Sequence, residues 1–81
     1  MIERLKEQYP DEEFLIADGF DDAIIGVDSR ELRVIYDIDK MIKILVERDT
    51  MSEDDAYEFL EYNTLNAYVG DKTPIFMNVL Y

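Results

Sequence analysis

The stretch FLIADGFDDAIIGVDSRELRVIY, from Phe14 to Tyr36, contains three short apolar runs separated by two acidic segments that are typical of turns. Apolar runs of this length, bounded by Asp, Gly and Ser, predict β-strands, and such short connections favour antiparallel pairing. We therefore expect strands at 14–17, 23–27 and 32–36. Gly26, inside the second run, indicates a bulge or a close approach of another backbone.

Helical spacing appears on both sides of this stretch. Ile2, Leu5 and Tyr9 predict a short amphipathic helix that ends at Pro10. After the third strand the apolar period changes from 2 to 3.6 residues, which predicts a second helix capped by Asp37 or Asp39. Its apolar face carries Ile38, Met41, Ile42 and Leu45.

A third helix is predicted to begin after Ser52, because Ser is a favoured N-cap and three acidic residues follow it. Its apolar face is expected to contain Ala56, Phe59, Leu60, Asn63 and Ala67. Gly70 then marks a turn, and residues 75–80 form a last strand. The chain, residues 1–81, is predicted to be one α+β domain in the order α-β-β-β-α-α-β. We expect an antiparallel sheet of three to four strands with helices packed on one face. The last strand can return to either edge of this sheet.

The charge balance is strongly acidic, with twenty Asp and Glu against eight Lys and Arg and a formal net charge of −12. Eight acidic residues and no basic residue lie between Lys6 and Arg30, and seven more acids lie between Arg48 and Lys72. Nucleic acids and anionic lipids both require cationic partners. The composition therefore argues against direct nucleic-acid binding and against membrane binding.

Several kinds of catalysis are excluded because the chain contains no Cys and no His. Without Cys the chain cannot form disulfides or use a thiol nucleophile. Without Cys and His it cannot form a zinc finger or use His as a general acid or base. The sequence has no Gly-rich phosphate loop, and Ser29 and Ser52 have no basic partner. The N-terminal residues lack the apolar run of a signal peptide, and no run approaches the ~20 residues that cross a bilayer. We expect a cytoplasmic protein without enzymatic activity or a cofactor.

The acidic segment Asp18-Gly19-Phe20-Asp21-Asp22 admits two interpretations. Asp18 and Gly19 are a turn signal, and the remaining carboxylates would then be solvated. The alternative is a divalent-metal site or a carboxylate-dependent enzyme that uses Asp18, Asp21 and Asp22, because Ca²⁺ and Mg²⁺ prefer oxygen ligands. The spacing does not match an EF-hand loop, so the turn is the favoured interpretation.

Asn63 is the one polar residue on the apolar face of the third helix, and we expect it to hydrogen-bond backbone in the Gly70–Pro74 loop or a neighbouring strand. The chain also has more aromatic residues in its second half than a small core can bury, Tyr81 among them. Tyr57 and Tyr68 lie off the apolar face. They are candidates for a protein interface, although Tyr at the edge of the core is the simpler explanation.

The acidic segments suggest an interaction module that binds a protein partner, and its sharpest form is a mimic of the phosphate backbone. Such a mimic would occupy the basic groove of a nucleic-acid-binding protein, which requires ordered rows of carboxylates. The alternative is a solvated surface that maintains solubility. A homodimer through the last strand or through exposed Tyr residues is compatible with the same sequence.

Residues 14–76 resemble a widespread group of small uncharacterised bacteriophage and bacterial proteins. The resemblance is carried by FDDAIIGV and by the segment from Asn63 to Thr73-Pro74 within YVGDKTPIF. This chain has Met41 where a Cys is frequent in the group, and Asn66 where Gly is common. The resemblance implies a phage or mobile-element accessory protein in the bacterial cytoplasm and assigns no catalytic residues. It adds weight to inhibition of a host protein, including by mimicry.

Overall fold

The computed structural model describes residues 1–80 and shows an α+β fold, as predicted from the sequence. The helices are α1 (Ile2–Gln8), α2 (Ile38–Asp49) and α3 (Glu53–Leu60), and α3 continues into a π turn (Glu61–Leu65). The strands are β1 (Ile24–Val27), β2 (Val34–Asp37) and β3 (Ile75–Met77), and a 3₁₀ turn (Asp21–Ala23) precedes β1. Tyr81, one of the aromatic residues expected beyond the core, lies outside the described residues.

The sheet has the strand order β1-β2-β3 and is mixed, which corrects the antiparallel prediction. β1 and β2 pair antiparallel, with a bulge between Ile24 and Gly26 as the glycine indicated. β3 pairs parallel to β2, with Ile35 opposite Ile75. The connection from β2 to β3 contains α2 and α3, and a crossover of this length lets the chain return in the same direction.

The predicted strand at 14–17 is wrong, because this segment is irregular and joins no strand. The backbone N–H of Ala17 donates to the hydroxyl of Tyr36 instead of to a strand carbonyl. The strand predicted at 32–36 begins later, at Val34, since Leu32 has a left-handed φ of 57° that a strand does not accept. The last strand ends at Met77 rather than at residue 80.

The core lies between one face of the sheet and the helices. It is formed by eleven buried side chains, namely Leu5, Phe20, Ala23, Ile24, Val34, Tyr36, Ile38, Met41, Leu45, Ala56 and Leu60. Two helix starts confirm the sequence analysis: Asp37 Oδ1 accepts from the backbone of Asp39 and Lys40, and Ser52 Oγ accepts from Asp55. Within residues 1–80, every helix is too short or too polar to cross a membrane.

Candidate functional site

The loop from Asp18 to Asp22 is held against the C-terminal end of α2. Gly19 has a φ of +86°, and its carbonyl accepts a hydrogen bond from Arg48 Nη1 at 2.9 Å. The Arg48 guanidinium also lies over the buried ring of Phe20, 5.7 Å from the ring centre, which is a cation–π distance. A Cβ at position 19 would come within 2.9 Å of Arg48 Nη1. The positive φ therefore favours glycine at this position, whereas the guanidinium is the end of a flexible, exposed side chain and can shift to admit a Cβ.

The three carboxylates of this loop are in different surroundings. Asp21 and Asp22 begin the 3₁₀ turn and line a shallow hollow together with Glu47 and Arg48. Asp18 faces a separate groove on the other side. Across residues 1–80, no set of three or more acidic side chains is arranged to hold a metal ion. The three carboxylates of the loop therefore lie in two separate concavities rather than in one.

The groove beside Asp18 is lined mainly by apolar side chains, and we call it the apolar groove. Three segments form it: the irregular segment before the loop, the π turn with the residues that follow it, and the start of β3. Its volume is about 340 Å³. Its lining consists of Leu15, Ile16, Ala17, Asp18, Phe20, Asn63, Thr64, Ala67, Val69, Pro74 and Phe76.

Tyr36 supports two walls of the apolar groove, and the sequence analysis did not identify it. The side chain is completely buried, and its hydroxyl accepts a hydrogen bond of 2.7 Å from the backbone N–H of Ala17. Its ring stacks on Phe76 at 5.7 Å between ring centres. Burial raises the pKa of the Tyr36 phenol, so the hydroxyl stays protonated at neutral pH. Because Ala17 and Phe76 both depend on Tyr36, the groove is anchored in the core.

Thr73 shapes the third wall and was also missed. Its Oγ1 accepts from the backbone N–H of Val69 at 2.9 Å and donates to the carbonyl of Gly70 at 2.6 Å. Arg33 Nε donates to the carbonyl of Thr73. Gly70 has a φ of +111°, which confirms the predicted turn. Thr73 lies between Gly70 and Pro74, and a Thr at this place in a Gly–Pro loop is the local signal for this hydrogen-bonded turn.

The structure corrects the predicted environment of Asn63. The side chain is exposed, and its Nδ2 donates to the carbonyl of Phe59, one turn earlier, at 3.0 Å rather than to the Gly70–Pro74 loop. The π turn explains the change: an α-helical continuation from Leu60 would turn Asn63 inward, whereas the wider turn directs Leu65 toward the core. Asn63 thereby lines the rim of the apolar groove, together with Asp18.

Comparison with known proteins returned no match. No family model fits the chain, and no curated protein or solved structure is significantly similar to it. The resemblance of residues 14–76 to bacteriophage proteins stays a prediction. The site must therefore be interpreted from its own chemistry.

A second surface lies along α3 and the π turn, and we call it the acidic–aromatic stripe. Its members are Asp55, Glu58, Phe59 and Tyr62, which line one shallow depression together with Met51 and Asn63. Phe59 is 39% exposed and Tyr62 is 90% exposed. Aromatic side chains are enriched among the residues that contribute most to protein interfaces.

The two predicted tyrosines occupy different positions. Tyr57 is exposed on α3 beside Glu61, and the negative charge of that carboxylate, together with a hydrogen bond to it, raises the pKa of the phenol. Tyr68 is also exposed and follows the π turn, but it lines neither the apolar groove nor the acidic–aromatic stripe. The structure thus brings Asp18 and Asn63 together, and leaves Asp21, Asp22, Tyr57 and Tyr68 elsewhere on the surface.

The remaining charges leave the surface strongly negative. Eighteen of the twenty carboxylates are exposed, and Asp28 and Asp37 are the two that are not. Among the residues that the structure describes, two ion pairs form, Arg48–Asp49 and Lys72–Glu12. Most exposed carboxylates therefore face solvent without a cation within ion-pair distance.

Proposed function

We propose that this protein is a non-enzymatic interaction module that binds a basic protein partner through α3 and the π turn. The observation that carries the proposal is the charge of residues 53–61, which include five exposed carboxylates and no basic residue. Charge of one sign on one element attracts an oppositely charged surface and accelerates its association. A partner rich in Lys and Arg fits this field.

The acidic–aromatic stripe supplies the short-range contacts. A guanidinium or ammonium group can stack on Phe59 or Tyr62 while it donates hydrogen bonds to Asp55 or Glu58, which line the same depression. Exposed aromatic rings contribute a large share of the binding energy at protein interfaces. Binding of Arg or Lys side chains is therefore the chemistry that this surface performs best.

Mimicry of a phosphate backbone is the more specific form of the same proposal. At a rise of ~1.5 Å per residue, the five carboxylates of residues 53–61 have a mean spacing of about 3 Å along the axis, close to the ~3.4 Å between phosphates of one DNA strand. Together with the resemblance to bacteriophage proteins, this spacing supports inhibition of a host nucleic-acid-binding protein in the bacterial cytoplasm.

Displacement of fluorescent duplex DNA from purified basic DNA-binding proteins of bacteria tests the proposal. We expect this protein to displace DNA at low salt, and the displacement to weaken steeply as salt rises. The triple variant Asp54→Asn, Glu58→Gln, Glu61→Gln should lose most of the displacement.

The matched control is Glu3→Gln, Glu7→Gln, Asp11→Asn, which changes the net charge by the same amount outside α3 and should displace DNA as the unmodified protein does. Equal loss in both triple variants would show that net charge alone acts, and would contradict the assignment to α3. Absence of displacement from every basic protein tested would overturn phosphate mimicry. Absence of direct binding to those same proteins as well would overturn the interaction module itself.

A further inference from the structure

The apolar groove lies beside a sheet edge that is open. β3 is the last strand in the order β1-β2-β3, and no backbone of residues 1–80 pairs with its outer side. Natural edge strands are normally protected by charged side chains, by Pro within the strand, or by a covering element. Here residues 73–80 carry no charge, and Pro74 precedes the strand without interrupting it. This edge is free to accept another strand.

The groove continues from this edge into the molecule. Pro74 and Phe76 are lining residues, so a strand added to β3 would place every second side chain over the groove. A volume of about 340 Å³ is near the lower end of the ~300–1,000 Å³ of ligand pockets. It suits one or two apolar side chains better than a complete small-molecule ligand.

Charge determines which strand fits. Among the described residues that line the groove, the single charged one is Asp18, and it is exposed. The net charge of −12 opposes the approach of a second copy of this chain and favours a cationic segment. We propose that the apolar groove and the outer edge of β3 bind an extended segment of a basic protein, in which apolar residues alternate with Lys or Arg.

This inference rests on the proposed function, because it identifies a second contact for the same basic partner. The apolar side chains of the segment enter the groove, and the alternate cationic side chains point outward, where Asp18 and the acidic surface attract them. Main-chain hydrogen bonds to β3 then supply affinity, while the groove selects the side chains.

The test uses short synthetic peptides with the complete protein. One peptide alternates Lys with Ile, a second alternates Lys with Ser, and a third alternates Glu with Ile. Affinity is measured by fluorescence anisotropy, and the binding surface is mapped by the changes in amide NMR shifts. We expect the Lys–Ile peptide to bind at least tenfold more tightly than the other two, because apolar anchors and charge are both required. Shift changes should concentrate at Ala67, Val69 and Ile75–Met77.

Two variants separate the groove from the overall charge. Val69→Lys places a cation at the groove wall and should weaken the Lys–Ile peptide about tenfold or more. Gln8→Lys changes the net charge equally on exposed α1 and should alter the affinity less than about twofold. Val69 is 58% exposed, so its replacement does not disturb the core.

The outcomes distinguish the two proposals. If the Lys–Ser peptide binds as tightly as the Lys–Ile peptide and Val69→Lys has no specific effect, the groove inference fails and the charge-driven module stands. If the protein associates with itself through β3, seen as concentration-dependent sedimentation that changes the same amide shifts, the groove inference also fails. If neither cationic peptide binds at low salt, both proposals fail.

Discussion

Asp28 shows how a single carboxylate holds the turn between β1 and β2. Its side chain accepts hydrogen bonds from the backbone N–H groups of Arg30 at 3.1 Å and Glu31 at 3.0 Å. The hydrogen bond from Arg30 has the largest effect, and together the two bonds hold the pKa of Asp28 below its usual value. Partial desolvation acts in the opposite direction. The ionised form therefore stabilises the folded state.

We expect Asp28→Ala to lower the free energy of unfolding at pH 7 and to have a decreasing effect in acid. Because the folded pKa lies below the unfolded one, the stabilisation is present above the unfolded pKa of ~3.9 and is lost as the pH falls through the folded pKa. Urea unfolding of both proteins between pH 7 and pH 2 measures the difference. Asp11→Ala is the control, since Asp11 is exposed and accepts no side-chain hydrogen bond from the described residues. A difference that does not change with pH would contradict this role.

The contrast between Asn63 and Tyr36 shows what can be predicted at this scale. The caps at Asp37 and Ser52 and the bulge at Gly26 depend on residues within a few positions, so the local sequence predicts them. The hydrogen bond of Tyr36 to Ala17 joins residues nineteen positions apart, and no local pattern encodes it. The predicted position of Asn63 on the buried face is wrong because the π turn has more residues per turn than an α-helix. The spacing of apolar residues in the sequence does not reveal this change.

At the scale of elements, α2 ends in a strained residue. Thr50 follows the last helical residue with a φ of +54°, and the N–H groups of Thr50 and Met51 both donate to the carbonyl of Leu45. This left-handed position usually contains Gly, because a Cβ is crowded there and a β-branched residue is crowded most. The C-terminal end of α2 is therefore closed by hydrogen bonds, but the backbone conformation of Thr50 costs free energy.

We expect Thr50→Gly to raise the free energy of unfolding by about 1 kcal/mol through relief of this strain. Chemical denaturation measures the change. Ser29→Gly is the matched control, since Ser29 lies in an exposed turn without a positive φ and should lose stability through the greater freedom of the unfolded chain. If both glycine variants lose stability equally, the strain at Thr50 is absent.

The strands were predicted less completely than the helices, for a physical reason. A helix closes its hydrogen bonds within one turn, so the spacing of Met41 and Leu45 is sufficient evidence for α2. A strand needs a partner. The apolar run at 14–17 is as apolar as β1, yet the position beside β2 is occupied by β3, and the run instead forms a wall of the apolar groove. The parallel direction of β3 depends on the α2–α3 crossover rather than on the residues of β3.

At the scale of the whole molecule, repulsion among like charges opposes folding. A net charge of −12 on a chain of 81 residues, with eighteen exposed carboxylates, destabilises the compact state more than the expanded one. Composition alone predicts this property, whereas the position of the apolar groove depends on contacts between distant segments.

Added salt should therefore stabilise this protein. The Debye length falls from ~30 Å at 0.01 M to ~8 Å at 0.15 M ionic strength, which screens most repulsion between surface carboxylates. We expect the midpoint of urea unfolding to rise between these two salt concentrations, with NaCl and KCl acting alike. The variant Asp54→Lys, Glu58→Lys replaces two negative charges with two positive ones, which reduces the net negative charge by four, and it should respond less. A midpoint that falls with salt would show that attractive ion pairs dominate instead.

The parallel pairing of β2 with β3 also has a kinetic consequence. Ile24 and Tyr36 of the antiparallel pair are twelve residues apart, whereas Ile35 and Ile75 of the parallel pair are forty apart. Closing the longer loop costs about 1 kcal/mol more chain entropy, so the hairpin of β1 and β2 should assemble first and β3 should dock last. By the same reasoning β3 is the strand that detaches first from the folded protein. The groove wall at Phe76 would then open and close more often than the rest of the core, and a partner strand added to β3 would slow that exchange.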